Sequence, residues 1–132
     1  MDHIANFIVS LKNANVVGKE KIFFPYSIMI SNIANLLKKE GYVKAVHDIK
    51  KSESPADRFL EVVLNYSESG TPKIREVARV SKSSQRYYTG VKTIQSHKNG
   101  KGLVVLTTPK GILTDKESRK EHVGGEVLFT MF

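Results

Sequence analysis

The chain has 132 residues, 40% of them hydrophobic and 26% charged, proportions that fit one domain or two small ones and exclude disordered, collagen-like and membrane-spanning chains. It contains no cysteine, which rules out disulfide frameworks, thiolate zinc sites, iron–sulfur clusters and cysteine nucleophiles. With 21 lysines and arginines against 13 acids the formal net charge is +8, enough to attract a polyanion.

The opening MDHIANF carries an acid where a signal peptide needs positive charge, and no apolar run reaches the length of a membrane span, so neither export nor a membrane partner is expected. Asp2 is placed to cap a helix in which Ile4, Ile8 and Leu11 recur at helical spacing, with Asn13 to Val17 fraying before Gly18 stops it. Lys21 to Phe24 is a short strand ended by Pro25, which cannot donate to a ladder. Ser27 then caps a second helix. Its stripe is Ile30, Ile33, Ala34 and Leu37, with Lys38 and Lys39 in the last turn and Gly41 at the left-handed stop. Tyr42 to Ile49 and Phe59 to Tyr66 are β-rich runs on either side of the polar KSESPAD, and read as a hairpin with a long loop.

Ser67 to Pro72 has linker composition, which places a boundary there. Beyond it Lys73 to Val80 alternates like a strand, Tyr87-Tyr88 is a second short one, Val91 to His97 is a helical turn, and Asn99 to Gly102 is a turn. Leu103 to Thr107 is a continuous apolar and β-branched run, the pattern of a strand covered on both faces. Thr114-Asp115-Lys116-Glu117 forms a capping box that opens a short helix ending near His122. Gly124-Gly125 breaks it, and Glu126 to Phe132 is a closing strand. The expectation is an α+β chain with an N-terminal α-β-α-β-β domain over 1–66, a linker at 67–72, and a mostly β domain with a short helix over 73–132.

Charge is unevenly spread between the halves. Residues 1–66 hold nine bases and seven acids, whereas residues 67–132 hold twelve and six. Between residues 73 and 101 eight bases stand against one acid, Glu76, interleaved with Ser81, Ser83, Ser84, Gln85, Tyr87, Tyr88 and Thr89. Hydroxyls and amides bond phosphate and sugar while rings stack on bases, so this mixture favours nucleic acid over a merely solvated face. Enzymatic chemistry is not indicated. His3, His47, His97 and His122 lack metal-ligand spacing, Gly100-Lys101-Gly102 lacks the rest of a phosphate loop, and no hydroxyl sits in a nucleophile elbow. No metal and no cofactor is expected.

Thr107-Thr108-Pro109-Lys110-Gly111, then Thr114-Asp115-Lys116-Glu117-Ser118-Arg119, then Gly124-Gly125-Glu126 resemble the C-terminal signature of the small-subunit ribosomal protein eight family. The start, with Lys12-Asn13-Ala14, and the middle, with Arg79-Val80-Ser81-Lys82 followed by Arg86 and Tyr88, are similar to that family too. The resemblance runs the full length. It implies a ribosome-bound, non-enzymatic protein, cytoplasmic or organellar, that binds the central domain of 16S ribosomal RNA beside neighbouring small-subunit proteins during assembly. Alternatively, it implies a repressor bound to its own messenger RNA at a mimic of the ribosomal site.

The RNA-binding residues implied are Thr107, Thr108, Pro109, Lys110, Gly111, Tyr88, Arg86, Gly124, Gly125, Glu126, Lys82, Lys12 and Asn13. Recognition of RNA relies on irregular shape, 2′-hydroxyls and bulged bases, because the deep groove of a regular RNA helix hides base edges. The two threonines and Lys110 supply hydroxyls and charge, Tyr88 a stacking ring, Glu126 an acceptor for a base amine, and the glycines room for close approach. Three departures from the family pattern stand out. Ser83-Ser84 occupies the place of Pro-Gly, Pro109 replaces a small hydroxyl residue, and Ser118 replaces an alanine.

Overall fold

The computed structural model describes residues 2–132, and the chain divides into two compact units, His3–Arg75 and Glu76–Phe132 together with Asp2. The first contains α1 (His3–Val16), β1 (Lys21–Pro25), α2 (Ile28–Lys39), β2 (Val43–Lys50) and β3 (Arg58–Leu64). Its strands form an antiparallel sheet in the order β1-β3-β2. Helix α1 packs on β1 and α2 on β2, and Phe7, Ile8, Leu11, Ile30, Ile33, Leu37, Leu60 and Val62 between them are at most 1% exposed. Each such side chain contributes about 1.5–3 kcal/mol of hydrophobic stabilisation. Ser27 caps α2 by accepting the Ile30 N–H at 3.1 Å, and Gly18 and Gly41 take the positive φ that ends each helix.

Helix α1 does not fray where expected. It runs to Val16 because Asn15, fully buried, accepts the Ile74 N–H at 2.8 Å and donates to the Asn65 carbonyl at 3.1 Å. The same bond explains why Lys73 to Val80 is not one strand: Ile74 is buried in the first unit, and only Val77–Arg79 pairs in a sheet. On β2 and β3, Arg58 forks onto Asp48, with Nε to Oδ1 at 3.0 Å and Nη2 to Oδ2 at 2.5 Å, and lies 3.6 Å over the Tyr26 ring. The hydrogen bonds from Arg58 hold the Asp48 carboxyl below its ordinary pKa and raise that of the guanidinium.

The second unit contains β4 (Val77–Arg79), β5 (Tyr88–Thr89), β6 (Leu103–Thr108), β7 (Gly111–Thr114), α3 (Asp115–Glu121) and β8 (Gly125–Met131). Its sheet runs β4-β8-β6-β7, all neighbours antiparallel, and β5 also pairs with β8. Residues Leu103 to Leu106 are all buried, as their uninterrupted apolar run requires. Strand β7 has no signal in the sequence pattern: Ile112 and Leu113 are the only apolar residues between a glycine and a capping threonine, too few to show alternation. The capping box is formed in both directions, with Thr114 accepting the Glu117 N–H and Glu117 accepting the Thr114 N–H, each at 3.1 Å. Helix α3 stops at His122, which is left-handed (φ 56°, ψ 45°). Gly124 and Gly125 are therefore not the stop; neither has positive φ, and Gly125 begins β8. Between β5 and β6, only Val91–Thr93 and Lys98–Gly100 make 3₁₀ turns, so the helical turn expected over Val91 to His97 is cut to its first three residues.

Candidate nucleic-acid interface

Strands β4 and β5 lie along the same edge of β8: Val77 to Arg79 pair with Met131 to Phe129, and Tyr88 and Thr89 with Glu126 and Gly125. Val80 and Tyr87 still bond to β8, and residues 81–86 between them leave the sheet as an excursion. It closes on itself where Lys82 and Gln85 exchange N–H···O bonds at 2.8 and 3.1 Å. Ser81, fully buried, pins its base by accepting the Tyr87 N–H at 2.9 Å. That hydroxyl is thus withdrawn from any ligand, unlike the exposed Ser83 and Ser84 at the tip.

A bulge decides which side chains meet beside the excursion. On β8, Phe129 opposes Val105 but Val127 opposes Leu106, so Leu128 is the extra residue and Glu126 is brought opposite Thr107. Without it Thr107 would face Val127, since a one-residue slip moves a strand's side chains to the other face. Tyr88 opposes Glu126 from the other side. Tyr88, Glu126 and Thr107 therefore form one row across three strands. Tyr88 is 72% exposed, and the Thr107 hydroxyl has no hydrogen-bond partner among the described residues.

Next to this row, β6 turns into β7 through the two-residue loop Pro109-Lys110. Thr108 closes it, its hydroxyl accepting the Lys110 N–H at 3.1 Å and donating to the Gly111 carbonyl at 2.8 Å. Positive φ falls on Gly111 (110°), one residue beyond the loop, and the β6–β7 register continues without a shift from Thr108 opposite Gly111 to Val105 opposite Thr114. Lys110 reaches α3, with Nζ 3.3 Å from both the Glu121 carbonyl and its Oε2. Glu126 is engaged as well: the Arg86 Nη1 lies 3.1 Å from its Oε2 and 3.4 Å from its Oε1.

The glycines are fixed by the protein itself. A methyl group on Gly125 would collide with the Thr107 carbonyl, and one on Gly124 with the Thr89 carbonyl and Gly90. Lys12 and Asn13 stand apart from this cluster in sequence and lie on α1 of the first unit, Asn13 lining a groove with Ser10, Val17, Lys21 and Phe23.

From residue 77 to 114 the sequence contains seven cations and no acid. Four of them have ion-pair partners outside that stretch: Arg79 with Asp2, Arg86 with Glu126, Lys98 with Glu76, and Lys110 with Glu121. Lys82, Lys92 and Lys101 are exposed and have no ion-pair partner among the described residues. The sequence alone does not show this distinction, because each partner acid is distant along the chain. Among the described residues no cluster of three or more acidic or histidine side chains is placed to hold a metal ion, and no helix is long and apolar enough to cross a membrane.

A family model described as Ribosomal protein S8 matches residues 2–132. The chain belongs to the ribosomal protein S8 family. Among its relatives, the small ribosomal subunit protein uS8 of Nitrobacter hamburgensis is 42% identical over 131 residues, spanning 99% of this chain and 97% of the relative. That of Chlorobium limicola is 41% identical with the same coverage, and that of Rhodopseudomonas palustris 42% identical over 132 residues. The ribosomal protein S8 family is structural rather than enzymatic.

Against the family pattern, the three departures have different physical consequences here. Ser83 and Ser84 both keep negative φ, so their turn does not require the glycine usual at that place. Pro109 occupies the first loop position of the β6–β7 turn, where its fixed φ is tolerated and its missing N–H is not needed. Ser118 is costly. Its hydroxyl is buried on α3 and has no hydrogen-bond partner among the described residues.

Proposed function

We propose that this chain is a constituent of the small ribosomal subunit that binds the central domain of 16S ribosomal RNA, mainly through its second unit. The observation that carries this reading is the row Tyr88–Glu126–Thr107 beside the Thr108–Gly111 turn, with Tyr88, Thr107 and the turn belonging to a stretch, residues 77–114, that has seven cations and no acid. Charge alone would bind any polyanion. A ring, a carboxylate and a free hydroxyl in one row add stacking, an acceptor and a donor, the set needed to read an irregular helix with an unstacked base.

Lys82, Lys92 and Lys101 supply phosphate contacts, and Lys110 does so by letting go of Glu121. The turn formed by Thr108, Pro109, Lys110 and Gly111 presents a stiff edge, and Gly124 and Gly125 let β8 start close against its neighbours. Arg86 stands over Glu126. Lys12 and Asn13 on the first unit add a backbone contact of their own. Neighbouring small-subunit proteins complete the partners, and a messenger RNA folded like the ribosomal site would use the same contacts.

The test is equilibrium binding of the whole protein to a central-domain RNA fragment, to a regular RNA duplex of equal length and to heparin, at fixed salt. The reading expects a clear preference for the fragment. Equal affinity for all three would reduce the surface to a generic polyanion binder.

A further inference from the structure

A carboxylate in an RNA-binding row poses an electrostatic problem. Glu126 has an 11% exposed side chain, so water screens it poorly, and an uncompensated negative charge there would repel phosphates. Its hydrogen-bond partner among the described residues is the Arg86 guanidinium, whose Nη1 bridges both carboxylate oxygens. Arg86 itself is half exposed, with 54% of its side chain accessible. It comes from the excursion, whose base is clamped by Ser81 and by the Val127 N–H donating to the Tyr87 carbonyl. The arginine is thereby delivered to Glu126 by backbone constraints on both sides of it.

One nitrogen shared between two carboxylate oxygens leaves further lone pairs on those oxygens open, since an ionised carboxylate has about four acceptor sites. The pair is thus an acceptor without net charge. An isolated Glu would be an acceptor with a charge, and an Arg facing RNA directly would be a phosphate clamp.

We propose that Arg86 is a positioning residue for Glu126: it fixes the carboxylate in the Tyr88–Glu126–Thr107 row and cancels its charge, so that Glu126 accepts the exocyclic amine of an unstacked base amid phosphates. The inference rests on the RNA-binding reading above and adds to it that the guanidinium acts through Glu126. It predicts a dependence that a phosphate contact lacks. Removing Arg86 harms binding only while residue 126 is charged.

The experiment is a double-mutant cycle on the full chain with Arg86→Ala, Glu126→Gln and both together, measuring the central-domain fragment and the regular duplex over a range of salt. Arg86→Ala is expected to weaken fragment binding about tenfold or more, because it leaves the poorly screened Glu126 charge uncompensated beside the RNA, and to weaken duplex binding less, because no base there donates to Glu126. In the Glu126→Gln background the same change should cost less than about threefold, because no charge remains to be cancelled.

Equal losses in both backgrounds, with the salt slope reduced by about one phosphate contact, would make Arg86 a direct phosphate ligand and overturn the proposal. So would no loss in either. Arg86→Lys, measured alongside as a variant that keeps the charge and is expected to fold if Arg86→Ala does not, should recover part of the affinity; a lysine no better than alanine also overturns charge cancellation. A wild-type protein that does not prefer the fragment over the duplex would instead sink the RNA-binding reading itself.

Discussion

The side-chain oxygen of Asn15 accepts the backbone N–H of Ile74 at 2.8 Å, across 59 positions of sequence and with Asn15 fully buried. The amide nitrogen of the same side chain donates to the Asn65 carbonyl, so one residue on α1 satisfies both the end of β3 and the chain leaving the first unit. Asn15→Ala is expected to cost about 1–3 kcal/mol, the penalty of a buried donor left unpaired. Chemical denaturation reads the loss, and amide exchange at Ile74 should speed up more than exchange at Ile33 in the core. An unchanged Ile74 amide would mean that water replaces the side chain without loss.

Ser118 offers the opposite sign. Its hydroxyl is buried without a partner on a helix whose other constraints, the capping box and the Arg119–Asp115 pair at 2.8 Å, are satisfied. Ser118→Ala should stabilise the protein by roughly 1 kcal/mol, because a desolvated hydroxyl is replaced by a methyl in the same space. Thermal unfolding would show the gain as a higher midpoint, and a lower one would reveal a partner for the hydroxyl.

Gly125→Ala sets a methyl group against the Thr107 carbonyl, forcing β6 and β8 apart where Glu126 meets Thr107. The expected cost is about 1–3 kcal/mol of stability, as for an overpacked core. Because the strain is internal, it should appear in the melting temperature of the protein without RNA. A variant that melts normally but binds RNA poorly would show that the glycine instead makes room for the ligand.

Asp48 supplies a pH dependence. Hydrogen bonding from Arg58 lowers its folded-state pKa, so the pair stabilises the fold above the unfolded carboxylate pKa of about 3.9 and ceases to do so as pH falls through the lower folded value. Asp48→Asn should therefore unfold at a slightly lower denaturant concentration than wild type at neutral pH, and the difference should vanish in strong acid. Both groups are solvent-facing, so the effect is small. A difference that persists below the folded pKa would assign it to packing on Tyr26 rather than to charge.

Lys92→Ala and Lys101→Ala each remove a lysine with no ion-pair partner among the described residues, and should weaken the central-domain fragment and a regular duplex alike, each lowering the salt slope by about one contact. Thr107→Val removes a hydroxyl in the row with little change of shape. It should cost on the order of 1 kcal/mol on the fragment and almost nothing on the duplex. If all three variants lose equally on both RNAs, the row contributes nothing to recognition.

Local signals were readable in the sequence. Ser27 before its helix and Thr114 three residues before Glu117 form the caps their spacing announces, because a cap is completed within one turn of chain. What depended on distant partners was not readable. Lys73 to Val80 alternates as a strand should, yet its first half is claimed by Asn15 from another element. Tyr88, Thr107 and Glu126 are each marked by motif, but Thr107 meets Glu126 only through the Leu128 bulge, and nothing in the residues around 128 signals one. The Arg86–Glu126 pair depends on a second long-range register, that of β5 on β8, which sets Tyr88 opposite Glu126.

The position of β8 bears on how the protein is made. It is the latest strand in sequence, yet β4, β5 and β6 all pair with it, whereas every strand of the first sheet lies before residue 65. A chain emerging from its own synthesis can therefore complete the first unit while the second still lacks the strand that joins its parts, and domains generally fold as units in that order. Until residues 125–131 appear, the β6–β7 hairpin stands alone with the apolar edge of β6 unpaired, an invitation to wrong partners. Truncation within β8 should then yield a chain with an intact N-terminal half and a C-terminal half prone to aggregation, a defect of biogenesis that arises before any RNA is met.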